Sequence, residues 1–75
     1  MDSTPSSHIL EYIVMLVSEF AQRFSLTPRQ AYRYIRRFDG VRLIEENYGI
    51  MHTLTFTDAV DGVAKYCALK GGELK

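Results

Sequence analysis

Four arginines recur along one short segment of this chain, with a tyrosine among them. Arg29, Arg33, Arg36 and Arg37 stand at i, i+4, i+7 and i+8, a spacing that places them on one side of a helix. Guanidinium groups bind phosphates, and a ring such as that of Tyr32 can stack on a base. The same groups could instead bind an acidic protein, or could form an ordinary solvated surface. The sequence leaves these three interpretations open.

A second group of polar residues has the types needed for acid–base chemistry. His52 could act as a general base if Asp58 or Asp61 oriented it, and two carboxylates at i, i+3 could bind a cation. A simpler interpretation is that the imidazole satisfies backbone groups in a turn. The two carboxylates would then offset the dipole of the helix they begin. We therefore predict neither a catalytic residue nor a metal site here, and leave the role of the three residues unassigned.

The single cysteine, Cys67, excludes an intramolecular disulfide and a cysteine-rich metal site. It stands on the apolar side of the last predicted helix, so we expect a buried, unreactive thiol. The sequence contains no glycine-rich phosphate loop, zinc-ligand spacing or catalytic triad pattern. We accordingly expect a protein that is not an enzyme and needs no cofactor.

Length and charge narrow the classes of function further. Seventy-five residues allow one domain, and a 47% hydrophobic content is typical of a folded chain. The formal net charge is zero, which disfavours bulk attraction to nucleic acid or to an anionic membrane. No apolar run is long enough to cross a bilayer. We expect a cytoplasmic protein with no membrane association, and with a protein partner or a second copy of itself as its binding partner.

The elements that must position these residues are all predicted to be helical. Apolar residues recur at helical spacing throughout the chain, and no pair of segments has the pattern of paired strands. We predict an all-α bundle of about four helices, at residues 7–24, 27–38, 40–48 and 56–70. Residues 1–6 and 73–75 are predicted tails, which leaves a single helical domain at residues 7–72.

Local signals predict where these helices begin and end. Ser6 or Ser7 can cap the first helix, and Thr27, followed by Pro28 and Gln30, has the pattern of a capping box. Asp39-Gly40 can begin the third helix, and Gly49 suits a left-handed residue after its end. Residues 50–54 would then form an extended connection, with Thr55 capping the last helix and Gly71-Gly72 ending it.

The first helix carries two apolar stripes, which is more apolar surface than the other three predicted helices are expected to cover. The second stripe consists of Leu10, Val14, Val17 and Ala21. A helix that is apolar on two sides is either central in its domain or shared with a partner. We predict that Leu10, Val14 and Ala21 provide apolar contacts to a partner, and that Tyr32 and the four arginines provide the polar contacts.

Two segments also resemble a known family. Residues 26–32 (LTPRQAY) and 52–61 (HTLTFTDAVD), with the closing Tyr66-Cys67 and Gly71-Gly72, are similar to very short bacterial proteins catalogued as a domain of unknown function and common in gut anaerobes. The resemblance extends from about Ile9 to Gly72. Members of such families often stand beside genes for ADP-ribosyltransferase-like toxins, so the resemblance implies an accessory or antitoxin-like partner.

The sequence thus favours a non-enzymatic protein-interaction module, antitoxin-like or regulatory, that binds the product of a neighbouring gene. The alternative is a small nucleic-acid-binding regulator. In that case the first two helices and the Ser25-Leu26 turn would form a helix-turn-helix, and the arginines of the second helix would contact DNA.

Overall fold

The computed structural model describes residues 4–72, and their side chains from residue 8 onward. Within that range the chain folds into five helices without a strand, which confirms the predicted all-α bundle. The helices are α1 (Thr4–Phe24), α2 (Pro28–Arg37), α3 (Gly40–Glu46), α4 (Tyr48–Met51) and α5 (Phe56–Leu69). The predicted tail at residues 73–75 and the first three residues of the predicted tail at 1–6 lie outside the described residues.

Helix α1 is the central element, because it packs against α2, α3 and α5. Its main apolar stripe faces inward, as the spacing predicts, with Leu16 and Phe20 fully buried; the stripe consists of Ile9, Tyr12, Ile13, Leu16, Val17, Phe20 and Phe24. An aromatic chain continues from α1 into α2: the Phe20 ring centroid lies 4.7 Å from that of Phe24 and 5.8 Å from that of Tyr34. The remaining buried core is aliphatic or small and comes from every helix: Ile13, Val17, Ala21, Ala31, Ile35, Ile44, Met51, Ala59, Val60, Val63 and Cys67.

The predicted caps of α2 and α5 are both present. The Thr27 hydroxyl accepts a hydrogen bond from the Gln30 amide at 3.1 Å, and the Gln30 side chain accepts one from the Thr27 amide at 2.9 Å. This reciprocal capping box, with Pro28 at the first helical position, satisfies donors that a helix start otherwise leaves unpaired. At α5 the Thr55 hydroxyl accepts the amide of Asp58 at 3.1 Å.

The Gly71-Gly72 pair ends α5 as predicted. Gly71 has φ of 99°, in the left-handed region that suits glycine. The Gly71 amide donates to the carbonyl of Ala68 at 3.0 Å, and the Gly72 amide donates to that of Cys67 at 2.9 Å. These two bonds form a Schellman motif, which satisfies carbonyls at the helix end.

The beginning of α1 differs from the prediction. The helix begins at Thr4, so Ser6 and Ser7 are helical residues and neither is the cap. Thr4 also carries a hydroxyl group, as the two predicted caps do, and local hydroxyl chemistry alone does not select among such residues.

The segment after α3 also differs from the prediction. Helix α3 ends at Glu46, two residues before its predicted end, and residues 48–51 form the short helix α4, which includes the first two residues of the predicted extended connection at 50–54. Gly49 lies inside α4 and is not the predicted left-handed residue, since Gly71 is the one glycine with positive φ among residues 4–72. Tertiary contacts explain the extra turn: the Tyr12 hydroxyl donates to the Met51 carbonyl at 3.1 Å, and Met51 is buried in the core.

Gly40 marks a tight junction between helices. It follows Asp39, which has a left-handed φ of 65°, and it is buried between α2 and α5. A Cβ at this position would lie 2.5 Å from Ile35 Cγ2, 2.9 Å from the Ile35 carbonyl oxygen and 3.1 Å from Cys67 Sγ. The absence of a side chain therefore permits α3 to begin directly against both neighbouring helices.

Candidate protein-binding surface

Two large apolar side chains of α1 are exposed one helical turn apart. Leu10 retains 63% and Val14 62% of their accessible surface, although both lie on the helix that organises the core. Their i, i+4 spacing makes them neighbours on the helix surface. They form an apolar patch that the described part of the chain does not cover.

This patch forms one wall of a groove between α1 and α2, which we call the α1/α2 groove. The groove has a volume of about 420 Å³, and the buried Ile13 and Val17 contribute to its lining. Arg29 and Tyr32 line it from α2, and Tyr32 is 40% exposed. The structure therefore brings together four of the predicted partner-binding residues in one concave site: Leu10, Val14, Arg29 and Tyr32.

The exposed side of α2 extends this surface. Arg29, Arg33, Arg36 and Arg37, which we call the arginine face, are all exposed, as the spacing predicts. None of them forms an ion pair with an acidic residue among those whose side chains are described, whereas Arg23 pairs with Asp61 and Arg42 with Glu46. The Arg37 guanidinium lies 5.5 Å from the centroid of the Phe38 ring. The arginine face thus presents positive charge that the described part of the fold does not neutralise.

One predicted contact residue is wrong. Ala21 is only 3% exposed and belongs to the core, so the folded chain cannot present it to a partner. The chain turns sharply after α1, with Ser25 at φ of 56° and the Leu26 amide donating to the Ala21 carbonyl at 2.8 Å. This turn folds α2 back against the end of α1. The second apolar stripe is therefore exposed at Leu10 and Val14 and buried at Val17 and Ala21.

His52 lies outside the α1/α2 groove and has a local structural partner. Its Nδ1 donates to the Tyr48 carbonyl at 2.9 Å, and its ring stacks on that of Tyr48 with centroids 4.9 Å apart. This agrees with the interpretation that the imidazole satisfies a backbone group in a turn.

Each of the two aspartates also has a local structural role. Asp61 Oδ1 accepts a hydrogen bond from Arg23 Nη1 at 2.5 Å, which ties α5 to α1. Asp58 stands in the first turn of α5, where a negative charge offsets the helix dipole. Among the residues with described side chains, no three His, Cys, Asp or Glu residues are grouped so as to hold a metal ion.

Cys67 is completely buried on the inward side of α5, as predicted. Burial raises the pKa of its thiol from the ordinary value of 9.0 to about 11, with a further contribution from the Asp39 carboxylate. The nucleophilic thiolate is therefore scarce at neutral pH.

The raised pKa of Cys67 predicts a loss of stability in alkali. In the unfolded chain the thiol releases its proton near pH 9, whereas in the folded chain it retains the proton to about pH 11. The folded state therefore binds more protons in that window, so the free energy of unfolding should fall as pH rises from 9 to 11. Urea denaturation at several pH values would measure this.

A matched variant isolates the thiol's contribution. Cys67→Ala should show a shallower decline over the same pH range. Some decline should remain, because the pKa of Tyr12 is also raised, by burial and by Tyr48. Equal slopes for both chains would contradict the assignment.

The sequence did not predict a second groove, which lies along α5 and which we call the α5 groove. It has a volume of about 410 Å³, and its lining includes the exposed apolar side chains of Ile50, Leu54 and Leu69. Ile50 lines this groove because of its position in the helical turn α4. The sequence predicted an extended connection at residues 50–54 instead, so the groove could not be foreseen.

Comparisons with known proteins place the chain in a family but give no activity. No helix within residues 4–72 combines the length and the apolar character needed to cross a membrane. No curated protein and no solved structure shows significant similarity to the chain. Residues 11–70 match the family described as "Protein of unknown function (DUF3791)". This match covers all of α2 to α5 and most of α1, and the chain therefore belongs to the DUF3791 family.

Proposed function

We propose that this protein is a non-enzymatic interaction module of the cytoplasm, which binds the product of a neighbouring gene as an antitoxin-like or regulatory partner. The observation that supports this most directly is the exposed Leu10–Val14 pair on the wall of the α1/α2 groove. Exposed apolar patches with a polar border are typical of protein-binding sites.

The composition of the surface fits a protein ligand. Tyr32 offers a large ring beside the two aliphatic side chains, and tyrosine and arginine are enriched among the residues that dominate binding energy at interfaces. An apolar side chain of the partner inserted into the groove would be desolvated by Leu10, Val14 and Tyr32 together. The groove would then supply affinity through apolar burial.

The arginine face indicates the charge of the partner. Its guanidinium groups are exposed and form no ion pair with the described acidic residues, so they remain available for carboxylates. Complementary charge accelerates encounter and fixes orientation more than it adds affinity. We therefore propose a partner with an acidic surface beside an apolar protrusion. The resemblance to genes that accompany ADP-ribosyltransferase-like toxins supports a toxin as that partner.

Calorimetry between this chain and the purified product of the adjacent gene tests the proposal. Val14→Glu places a charge in the groove and should weaken binding by about 30-fold or more, as expected for a central interface residue. Met15→Glu is the matched control, because Met15 is 54% exposed on the same helix and does not line the groove. Absence of binding, or equal weakening by both substitutions, would contradict the proposed site.

A second candidate function is binding to nucleic acid through the arginine face. It is favoured by the sharp connection between α1 and α2 and by the exposure of all four arginines on the second of the two helices. Fluorescence anisotropy with duplex DNA would test it. Replacing Arg33 and Arg36 with glutamine should reduce the magnitude of the salt slope by about 2 if both contact phosphates. Absence of binding even at low salt would eliminate this candidate.

A further inference from the structure

The residues that line the α5 groove form a pattern that has no role in the function proposed above. Leu69 is 87% exposed and Ile50 69%, and the lining of the α5 groove shares no residue with that of the α1/α2 groove. These apolar side chains lie at the two ends of a groove that runs along α5.

The stripe of residues that follows α5 along the groove is nearly symmetric about its centre. From Asp58 to Leu69 its members are spaced by four, three and four residues, the spacing of one side of a helix, whereas Leu54 precedes the helix, which begins at Phe56. In order they are apolar, acidic, glycine, basic and apolar: Leu54, Asp58, Gly62, Lys65 and Leu69. Read in the opposite direction, the stripe again begins and ends with an apolar residue and has glycine at its centre. Only the acidic and basic positions are exchanged.

Such a pattern is complementary to an antiparallel copy of itself. With a two-fold axis at Gly62, Asp58 lies about 6 Å along the helix on one side and Lys65 about 4.5 Å on the other, at 1.5 Å per residue. Asp58 of one chain would therefore face Lys65 of the second copy, and this contact occurs twice. Leu69, about 10.5 Å along the helix from the axis, would lie toward the end of the second copy's groove that Leu54 lines. A two-fold interface requires this kind of self-complementary surface.

The fold of a single chain does not explain why the residue at position 62 is glycine. Its backbone is helical without positive φ, and, apart from its chain neighbours and the adjacent backbone of α5, no described atom lies within 4 Å of the position that a Cβ would occupy. Glycine is a poor helix former, so the site gains nothing from it within one chain. At the crossing point of two helices the missing side chain permits a closer approach, since interaxial distance depends on the side chains at the contact.

We propose that the α5 groove binds a second copy of this chain, in a symmetric dimer whose α5 helices cross antiparallel at Gly62. Neither Asp58 nor Lys65 forms an ion pair within the described part of one chain, and the dimer pairs both. The groove is lined by eleven residues, fewer than the roughly 20–30 of a standard interface, so the dimer is a weak one. It leaves the α1/α2 groove of each chain free.

Sedimentation equilibrium of the full chain over a range of concentrations tests the dimer. The wild-type chain should self-associate, and Asp58→Lys or Lys65→Glu should each weaken self-association by about tenfold or more, because each places like charges opposite one another twice. Mixing the two variants in equal amounts should restore dimers. In the mixed dimer the two substituted positions face each other with opposite charges, and so do the unchanged Asp58 and Lys65.

The control is Glu11→Lys, which changes net charge as Asp58→Lys does but lies on α1 outside the groove. It should dimerise like the wild type, and circular dichroism should show that every variant retains its helix content. A wild-type chain that stays monomeric would overturn the proposal and leave the groove to a different protein. Self-association that Asp58→Lys does not weaken would also overturn the proposal. So would a mixture of the two charge variants that does not associate.

Discussion

Replacing Phe20 with alanine is expected to remove most of the stability of this protein. Phe20 is fully buried near the C-terminal end of α1, with its ring against those of Phe24 and Tyr34. Such a truncation costs about 3–5 kcal/mol, through lost burial and the cavity that remains. A domain of this length has about 4–11 kcal/mol in total, at roughly 0.05–0.15 kcal/mol per residue. Urea denaturation followed by circular dichroism should show a large fall in the midpoint or a chain already unfolded.

Val14→Ala is the matched control for this prediction. Val14 is on the same helix but is 62% exposed, so its truncation should change the free energy of unfolding by about 0.5 kcal/mol or less. Comparable losses in the two variants would mean that α1 buries a different side from the one described. The comparison also shows whether a binding defect from a change at Val14 is separable from misfolding.

Gly40→Ala is expected to destabilise the fold by about 2 kcal/mol, even though alanine is the better helix former. Alanine favours a helix by about 1 kcal/mol over glycine. The added methyl group would, however, lie 2.5 Å from Ile35 Cγ2 and 2.9 Å from the Ile35 carbonyl oxygen. Overpacking of this kind costs about 1–3 kcal/mol, and more when the obstructing atom belongs to the backbone and cannot rotate away. The overlap therefore outweighs the propensity.

Gly62→Ala is expected to have the opposite effect and to stabilise the fold. The melting temperatures of the two variants test both predictions. No atom obstructs a Cβ at Gly62, so the gain of about 1 kcal/mol in helix propensity should appear as a higher melting temperature of the monomer. The measurement belongs at low protein concentration, where self-association does not contribute. Two glycine-to-alanine changes of the same sign would contradict the packing described around α3 and α5.

The sequence predicted those features whose causes are local. The Thr27 capping box and the Thr55 cap depend on residues three apart, so their pattern is visible without a structure. The inward stripe of α1 follows from helical periodicity alone. The exposure of the arginine face is equally a property of one helix, and it was predicted correctly.

The features that the sequence did not predict depend on contacts between distant segments. Helix α4 contains a glycine and precedes a segment that looks extended, and it is held by a hydrogen bond from Tyr12 near the other end of the chain. Ala21 resembles Leu10 and Val14 in the periodic pattern, and only the packing of α2 against α1 distinguishes them. The α5 groove was missed for the same reason, because it is shared by three helices.

The Schellman motif at the end of α5 carries the packed structure past the end of the family match. The family match ends at residue 70, yet the amides that satisfy the Ala68 and Cys67 carbonyls belong to Gly71 and Gly72. Gly72 is also buried against the Phe38 ring, where a Cβ would lie 2.5 Å from a ring carbon. A chain trimmed to the family boundary would lose the Gly71 and Gly72 donors, would leave the Cys67 carbonyl with the Lys70 amide alone, and would uncover part of an aromatic ring. The packed structure therefore extends at least two residues beyond the boundary that sequence similarity assigns.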